Sequence, residues 1–224
     1  MRAITKFAVA AAALVSASAF AGTSQAAIFI GLQQAGVNGG AITTVATGAI
    51  AAVYAASYGT FELELVTGTD GVDPTILGST TSDHNFETTT GGSIDIYVTR
   101  DNIGGPIPFK FLSTFTSNVL PPGWTVTETT YANAANGLYG GTVLSSHAFT
   151  TIGTFVHNNA FVGGTGPYSV TTRYTVNAGS NVGSSFSTIS IHDATVPEPG
   201  AWALMIMGFG AAGAMIRRRR TARA

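Results

Sequence analysis

The sequence predicts an all-β fold: a single β-sandwich, jelly-roll-like, flanked by two terminal segments of different character. Three observations predict it. Apolar and polar residues alternate with period two in run after run. The runs are rich in Thr, Val, Ile, Phe and Tyr, side chains that suit a pleated surface. Gly- or Pro-rich breaks separate them, at Gly39-Gly40, Gly91-Gly92, Gly104-Gly105-Pro106, Pro121-Pro122-Gly123, Gly140-Gly141 and Gly163-Gly164, without a convincing amphipathic helix between.

Residues 1–26 read as a signal peptide. Arg2 and Lys6 form a short cationic head, Phe7 to Ala21 is uncharged and apolar, and Ser24-Gln25-Ala26 places small side chains at −3 and −1 of a cleavage site after Ala26. Ala19-Phe20-Ala21 offers a minor alternative after Ala21. The apolar run is short for a membrane span, which needs about 20 residues. The segment has no twin arginine, so the general secretion route is expected.

Residues 27–196 form the body, about 170 residues, enough for one domain that buries roughly 70% of its unfolded surface. Ala41 to Tyr58 is ambiguous: Ala49 to Ser57 suits a helix, while Val45, Ile50 and Val53 with Gly48 suit a strand equally. In Phe61-Glu62-Leu63-Glu64-Leu65 three apolar residues face one way and two carboxylates the other. Ile94, Ile96 and Val98 alternate with Asp95, Tyr97 and Thr99. Phe109, Phe111 and Phe115 share a face with Ser113, opposite Lys110 and Thr114. Trp124 and Val126 oppose Thr125 and Thr127, and Tyr168, Val170, Tyr174 and Val176 oppose Ser169, Thr171, Arg173 and Thr175. Ile189 and Ile191 fall out of phase with Phe186, which predicts a bulge or a strand change. The polar faces carry threonine and serine rather than lysine and glutamate, a neutral hydrated surface compatible with polysaccharide-rich surroundings.

Residues 197–224 form the tail. Pro197-Glu198-Pro199-Gly200 breaks regular structure, because proline fixes φ and removes donors. Ala201 to Ile216 is uncharged, and sixteen helical residues give roughly 24 Å, short of the ~30 Å hydrocarbon core. Snorkelling arginine stems and an interfacial Trp202 narrow that gap, so a transmembrane helix is expected. Arg217, Arg218, Arg219 and Arg220 act as the membrane stop on the cytoplasmic face.

The order of Pro197-Glu198-Pro199, Trp202-Ala203, a short apolar span and a basic end resembles the PEP-CTERM sorting signal, in its Pro-Glu-Pro-x-x-Trp-Ala variant. The resemblance covers the tail and nothing of the body. It implies export in a Gram-negative bacterium that makes exopolysaccharide, with transient anchoring in the inner membrane. It also implies recognition and cleavage near Pro-Glu-Pro by exosortase, a membrane-embedded thiol transpeptidase, and delivery to the cell surface or extracellular matrix. The motif residues Pro197, Glu198, Pro199, Trp202 and Ala203 would carry recognition.

Charge and composition narrow the function classes. The chain has 224 residues, only 9% of them charged, and a formal net charge of −1 that sums unlike regions. The body holds three bases, Arg100, Lys110 and Arg173, against ten acids, a balance of −7. Such a body repels phosphates, so no nucleic-acid partner is expected. Absence of cysteine excludes a disulfide scaffold, a thiolate zinc site, a cysteine nucleophile and an anchor through a lipidated cysteine.

Signals of chemistry are sparse. His84, His147, His157 and His192 have no helical metal-pair spacing, and Asp83-His84 and His192-Asp193, as sequence neighbours on strands, point to opposite faces. Asp70-Gly71-Val72-Asp73 with Asp83 is the best oxygen-ligand cluster for calcium, yet Asp-Gly is also a simple turn signal, the stronger reading. Trp124 and tyrosines 97, 131, 139, 168 and 174 suit a sandwich core better than a sugar-stacking platform, since Trp124, Tyr168 and Tyr174 lie in phase with valines. Glu62 and Glu64 are the only paired carboxylates, explained by a water-exposed face. The expected protein is therefore a non-enzymatic exported envelope or matrix protein without a cofactor. The alternative is a module binding the cell's own exopolysaccharide, and a secreted hydrolase is a third, weaker class.

Overall fold

The computed structural model describes residues 25–85, 91–162, 164–194 and 205–211. Twelve strands run in order: β1 (Ile28–Gln33), β2 (Thr43–Gly48), β3 (Ala51–Tyr58), β4 (Phe61–Asp70), β5 (Thr75–Asn85), β6 (Gly92–Ile103), β7 (Lys110–Val119), β8 (Thr125–Asn133), β9 (Thr142–Phe149), β10 (Gly153–Ala160), β11 (Tyr168–Ala178) and β12 (Gly183–Asp193). They form two six-stranded sheets, β2-β1-β6-β11-β8-β9 and β10-β7-β12-β5-β4-β3. Every pairing is antiparallel. Connections such as β5 to β6, β6 to β7 and β11 to β12 pass from one sheet to the other, as in a jelly roll. The ambiguous Ala49–Ser57 segment is thus a strand, β3, paired with β4.

The core lies between the sheets and follows the period-two reading for most strands. Ile94, Ile96 and Val98 on β6, Trp124 and Val126 at the start of β8, and Tyr168, Val170, Tyr174 and Val176 on β11 are all buried. Each large apolar side chain removed from water there contributes about 1.5–3 kcal/mol before entropy is counted. Gly68 lets the sheets approach: a Cβ there would collide with Val98 Cγ1 and Ile28 Cγ2 across the interface. Gly59, at φ +60° in the tight β3–β4 turn, has no room for a Cβ against Gln34 Oε1.

Two phase readings are corrected, and the out-of-phase reading on β12 holds. Leu65 is not in line with Phe61 and Leu63; the β4–β5 register shifts between Leu63 and Leu65, which turns Leu65 outward and Val66 into the core. Phe109 precedes β7 and is exposed, while Phe111, Ser113 and Phe115 face inward as expected. On β12 the inward positions belong to Ser185, Ser187, Ile189 and Ile191, so Phe186 is the outward residue. The expected irregularity is present as a register shift against β7, where Val119 pairs with Phe186 and Ser117 with Ser187.

The threonines and serines are not all on the outside. Ser79, Thr81, Asp83 and Asn85 on β5, with Ser185 and Ser187 on β12 and Ser113 and Ser117 on β7, turn their side chains into the sandwich. Several satisfy one another across the interface. Ser79 Oγ lies 2.8 Å from both Thr172 Oγ1 and Tyr174 Oη, and Ser113 Oγ lies 2.7 Å from Thr130 Oγ1.

Candidate functional site

Both ends of the body sit at one pole of the sandwich. Ile28, the first residue of β1, pairs with Arg100 of β6, and Arg100 shares a groove of about 350 Å³ with Asp193, the last residue of β12. The chain leaves from a central strand there, since β12 lies between β7 and β5. The exit is pinned by Asp193 N–H donating to Pro74 O at 2.8 Å and Ala194 N–H donating to Lys110 O at 3.1 Å. All the described strands of both sheets therefore end before residue 195.

Pro197, Glu198, Pro199, Trp202, Ala203 and Arg217 to Arg220 lie outside the described residues. Residues 205–211 are helical and exposed throughout, with Met205, Ile206, Met207 and Phe209 showing more than half of their surface. This segment is not part of the sandwich core. Among the described residues no helix is long and apolar enough to cross a membrane. At the other end Ala26 is half-buried, and Ala27 N–H donates to Asp101 Oδ1 at 2.9 Å.

The three aspartates singled out for calcium do not converge. Asp70 is paired with Arg100, Oδ1 to Nη1 at 2.7 Å, and the same guanidinium nitrogen donates to Ile76 O at 2.7 Å. Asp73 lies in the same groove, with Thr75, Tyr168 and Asp193. Asp83 is eight residues further along β5 than Thr75, about 26 Å at the usual rise per strand residue. It is fully buried, at hydrogen-bond distance from Ser185 Oγ through both carboxylate oxygens (3.0 and 2.9 Å), and burial pushes its carboxyl up to about 7 against that help. No group of three or more His, Asp or Glu side chains able to hold a metal occurs among the described residues.

A second buried carboxyl, Glu128 on β8, was not flagged by the sequence reading. It is in phase with Trp124 and Val126, which was the available signal. Neither oxygen has a hydrogen-bond partner. Ser187 and the Thr116 backbone lie near enough to hold its proton affinity down in part, yet neither meets hydrogen-bond geometry. Burial dominates, and the carboxyl is pushed up to about 8. Its neighbours Thr81, Ser117 and Ser187, adjacent in register across β5, β12 and β7, also have unbonded buried hydroxyls.

The aromatic residues considered for sugar stacking fill the core or lie against other side chains. Trp124 is 1% exposed and donates Nε1–H to Asn181 O at 3.0 Å; Tyr168 and Tyr174 are buried. Tyr97 and Tyr131 occupy the outer face of their sheet, yet the edge of Tyr139 packs against Tyr97 at 5.8 Å and the Arg173 guanidinium covers Tyr131 at 5.6 Å. Burial raises the proton affinity of Tyr97, Tyr131 and Tyr139.

Two of the histidines meet hydroxyls and the other two lie against one phenyl ring. His84 Nδ1 lies 2.7 Å from Ser184 Oγ, and His192 Nδ1 lies 2.9 Å from Thr75 Oγ1. Partial burial lowers the proton affinity of His192. His147 stacks on Phe155 at 4.1 Å, and the ring of His157 lies nearly parallel to the same phenyl ring at 6.1 Å. Glu62 and Glu64 are exposed, the latter accepting from Ser82 Oγ at 2.8 Å.

Among solved structures, the chain is similar to an arabinose-bound α-L-arabinofuranosidase, at 9% identity and a TM-score of 0.30 over 62% of this chain and 23% of that one. The chain thus spans about a quarter of that enzyme's length. A carbohydrate-binding module from a Cellvibrio mixtus lichenase, in complex with cellotriose, is similar at 18% identity and a TM-score of 0.25, over 55% of this chain and 89% of that one. Likeness at this level shows neither a shared ligand nor a shared activity. No curated protein matches the chain. Residues 195–220, which begin one residue after the last pinned position of the sandwich, match the family model of the PEP-CTERM protein-sorting motif, so this chain is a β-sandwich protein carrying that sorting signal.

Proposed function

We propose that the protein is a non-enzymatic component of the cell envelope or extracellular matrix, exported through residues 1–26 and released by exosortase cleavage at Pro197-Glu198-Pro199. The observation that carries this reading is the junction at residue 194. The sorting motif starts just after the described end of β12, so cutting beyond it removes none of the twelve described strands. Proline-rich backbone outside regular structure is good substrate for a processing enzyme, because it cannot retreat into a helix or a ladder.

The shared pole supports the same route. Ala27 and Asp193 leave the sandwich on one side. A precursor held in the inner membrane by both apolar segments would then hang its body on the outer side without strain on either sheet. The cytoplasmic arginines, Arg217 to Arg220, would resist translocation of the tail. No enzymatic role is assigned: His84 and His192 meet Ser184 and Thr75, His147 and His157 lie against Phe155, and Asp83 and Glu128 are sealed inside. Exopolysaccharide binding stays outside the proposal, since Trp124 and the five tyrosines offer no exposed coplanar platform.

The test is replacement of Pro197, Glu198 and Pro199 by alanine in cells with active exosortase. The variant should remain full-length in the membrane fraction while the wild type is released in a shortened form. Release of the variant at the wild-type rate would refute the reading.

A further inference from the structure

We infer that cleavage after Ala26 does more than free the body: it creates an ion pair between the new α-ammonium of Ala27 and the Asp101 carboxylate that fastens the start of β1. This rests on the reading of residues 1–26 as a signal peptide cut after Ala26.

The step balances simply. An export peptidase adds water across the Ala26–Ala27 peptide bond. The hydroxyl goes to the Ala26 carbonyl carbon and one proton to the Ala27 nitrogen. The resulting amine takes a second proton from solvent below its ordinary pKa of about 7.7–8.0. A neutral amide donor thereby becomes a cation with three N–H bonds.

The acceptor already stands in place. Ala27 N is 2.9 Å from Asp101 Oδ1, and Asp101 N–H returns a bond to Ala27 O at 2.9 Å. That two-way clasp fixes the nitrogen against β6, one residue before the Ile28–Arg100 pair. The carboxylate is itself held: Asn102 Nδ2 donates to Oδ2 at 2.9 Å. Asn102 is clamped in turn, its N–H donating to Asn136 Oδ1 at 2.8 Å and its Oδ1 accepting from Asn136 Nδ2 at 2.7 Å. An acceptor oriented before the charge arrives loses little freedom when the pair forms.

The charges around the nitrogen favour a cation. On β6 they are Asp101 and Arg100, and Arg100 is committed to Asp70. Asp70 of β4 also lines the hollow beside Gln25 and Ala26. On the β2 side Gly48 pairs with Ile28 and brings no charge. A cut after Ala21 would leave five further residues before Ala27 and keep its nitrogen a neutral amide.

The experiment uses the mature protein recovered from exporting cells. Mass spectrometry reads the N-terminal residue, and pH-dependent labelling of the α-amine with acetic anhydride reads its pKa. The expected result is a chain beginning at Ala27 whose α-amine titrates about half a pH unit or more above the ordinary range, a size fitting a half-exposed pair. Asp101→Asn should return it to about 7.7–8.0. Should that variant not accumulate, the wild-type titration decides alone. A chain beginning at Gly22 overturns the inference together with its premise. A chain beginning at Ala27 with an ordinary α-amine, or with one that Asp101→Asn leaves raised, overturns the ion pair while the cleavage reading stands.

Discussion

Replacing Glu128 by glutamine removes a titratable group from the middle of the sandwich. In the folded protein the carboxyl is fully buried, faces Ser187 and Thr116, and is pushed up to about 8 by burial, against an ordinary value of 4.5. The sign follows from linkage. Below pH 4.5 the carboxyl is protonated in both folded and unfolded chains, and nothing is lost. Between pH 4.5 and about 8 the unfolded chain ionises while the folded one cannot, so stability falls as pH rises. At about 1.4 kcal/mol per pH unit the full window amounts to on the order of 5 kcal/mol. That is a large share of the roughly 5–15 kcal/mol typical of a domain. A glutamine stays neutral throughout and should abolish this part of the slope. Urea denaturation followed by circular dichroism at pH 4.5 and pH 8.5 measures it. The variant should match the wild type within about 1 kcal/mol at the acid end and exceed it by several at the alkaline end. An equal difference at both pH values would refute the reasoning, because Glu128 would then ionise as readily in the folded protein as in water.

Three further outcomes are expected. Arg100→Met breaks the pair with Asp70 and the bond to Ile76 O and leaves a partly buried carboxylate without its cation; it should cost about 1–3 kcal/mol in the same denaturation assay, with Asp70→Asn costing less. Gly68→Val drives methyl groups into Val98 and Ile28 between the sheets and should lower stability by about 1–3 kcal/mol or more, read as a drop in Tm. Calcium and a chelator should leave Tm unchanged within error, since Asp70 is held by Arg100 and Asp83 lies about 26 Å up its strand from Thr75; a rise of several degrees with calcium would show that the 70–75 loop binds it by another geometry.

Much of the strand pattern was legible locally. On β6 and β11 alternation alone assigns the inward residues: β6 keeps its register from Ile94 to Val98, and on β11 the shift against β6 between Tyr168 and Val170 leaves both of those residues buried. On β4 the same reasoning carried Leu65 to the wrong face, since a register shift against β5 is a property of the pair and not of the strand. On β12 and β5 the identity of the buried face was hidden. Serine, threonine and aspartate normally mark the wet side, and only the opposing sheet shows that Ser185, Ser187, Thr81 and Asp83 are enclosed. Glu128 was readable in principle from its phase with Val126, yet a carboxylate is the residue type that phase is least trusted to bury.

The amino-acid sequence by itself determined the all-β class, the turn positions and the sorting motif at residues 195–220, because each depends on residues close together in the chain. Tertiary structure alone decided that the body's two ends meet at one pole, that Asp101 stands against Ala27, and that two carboxyls are sealed inside. The physical reason is sequence separation. Those facts are made by contacts between strands many residues apart, and a local period states which face a side chain shares without stating what that face will meet.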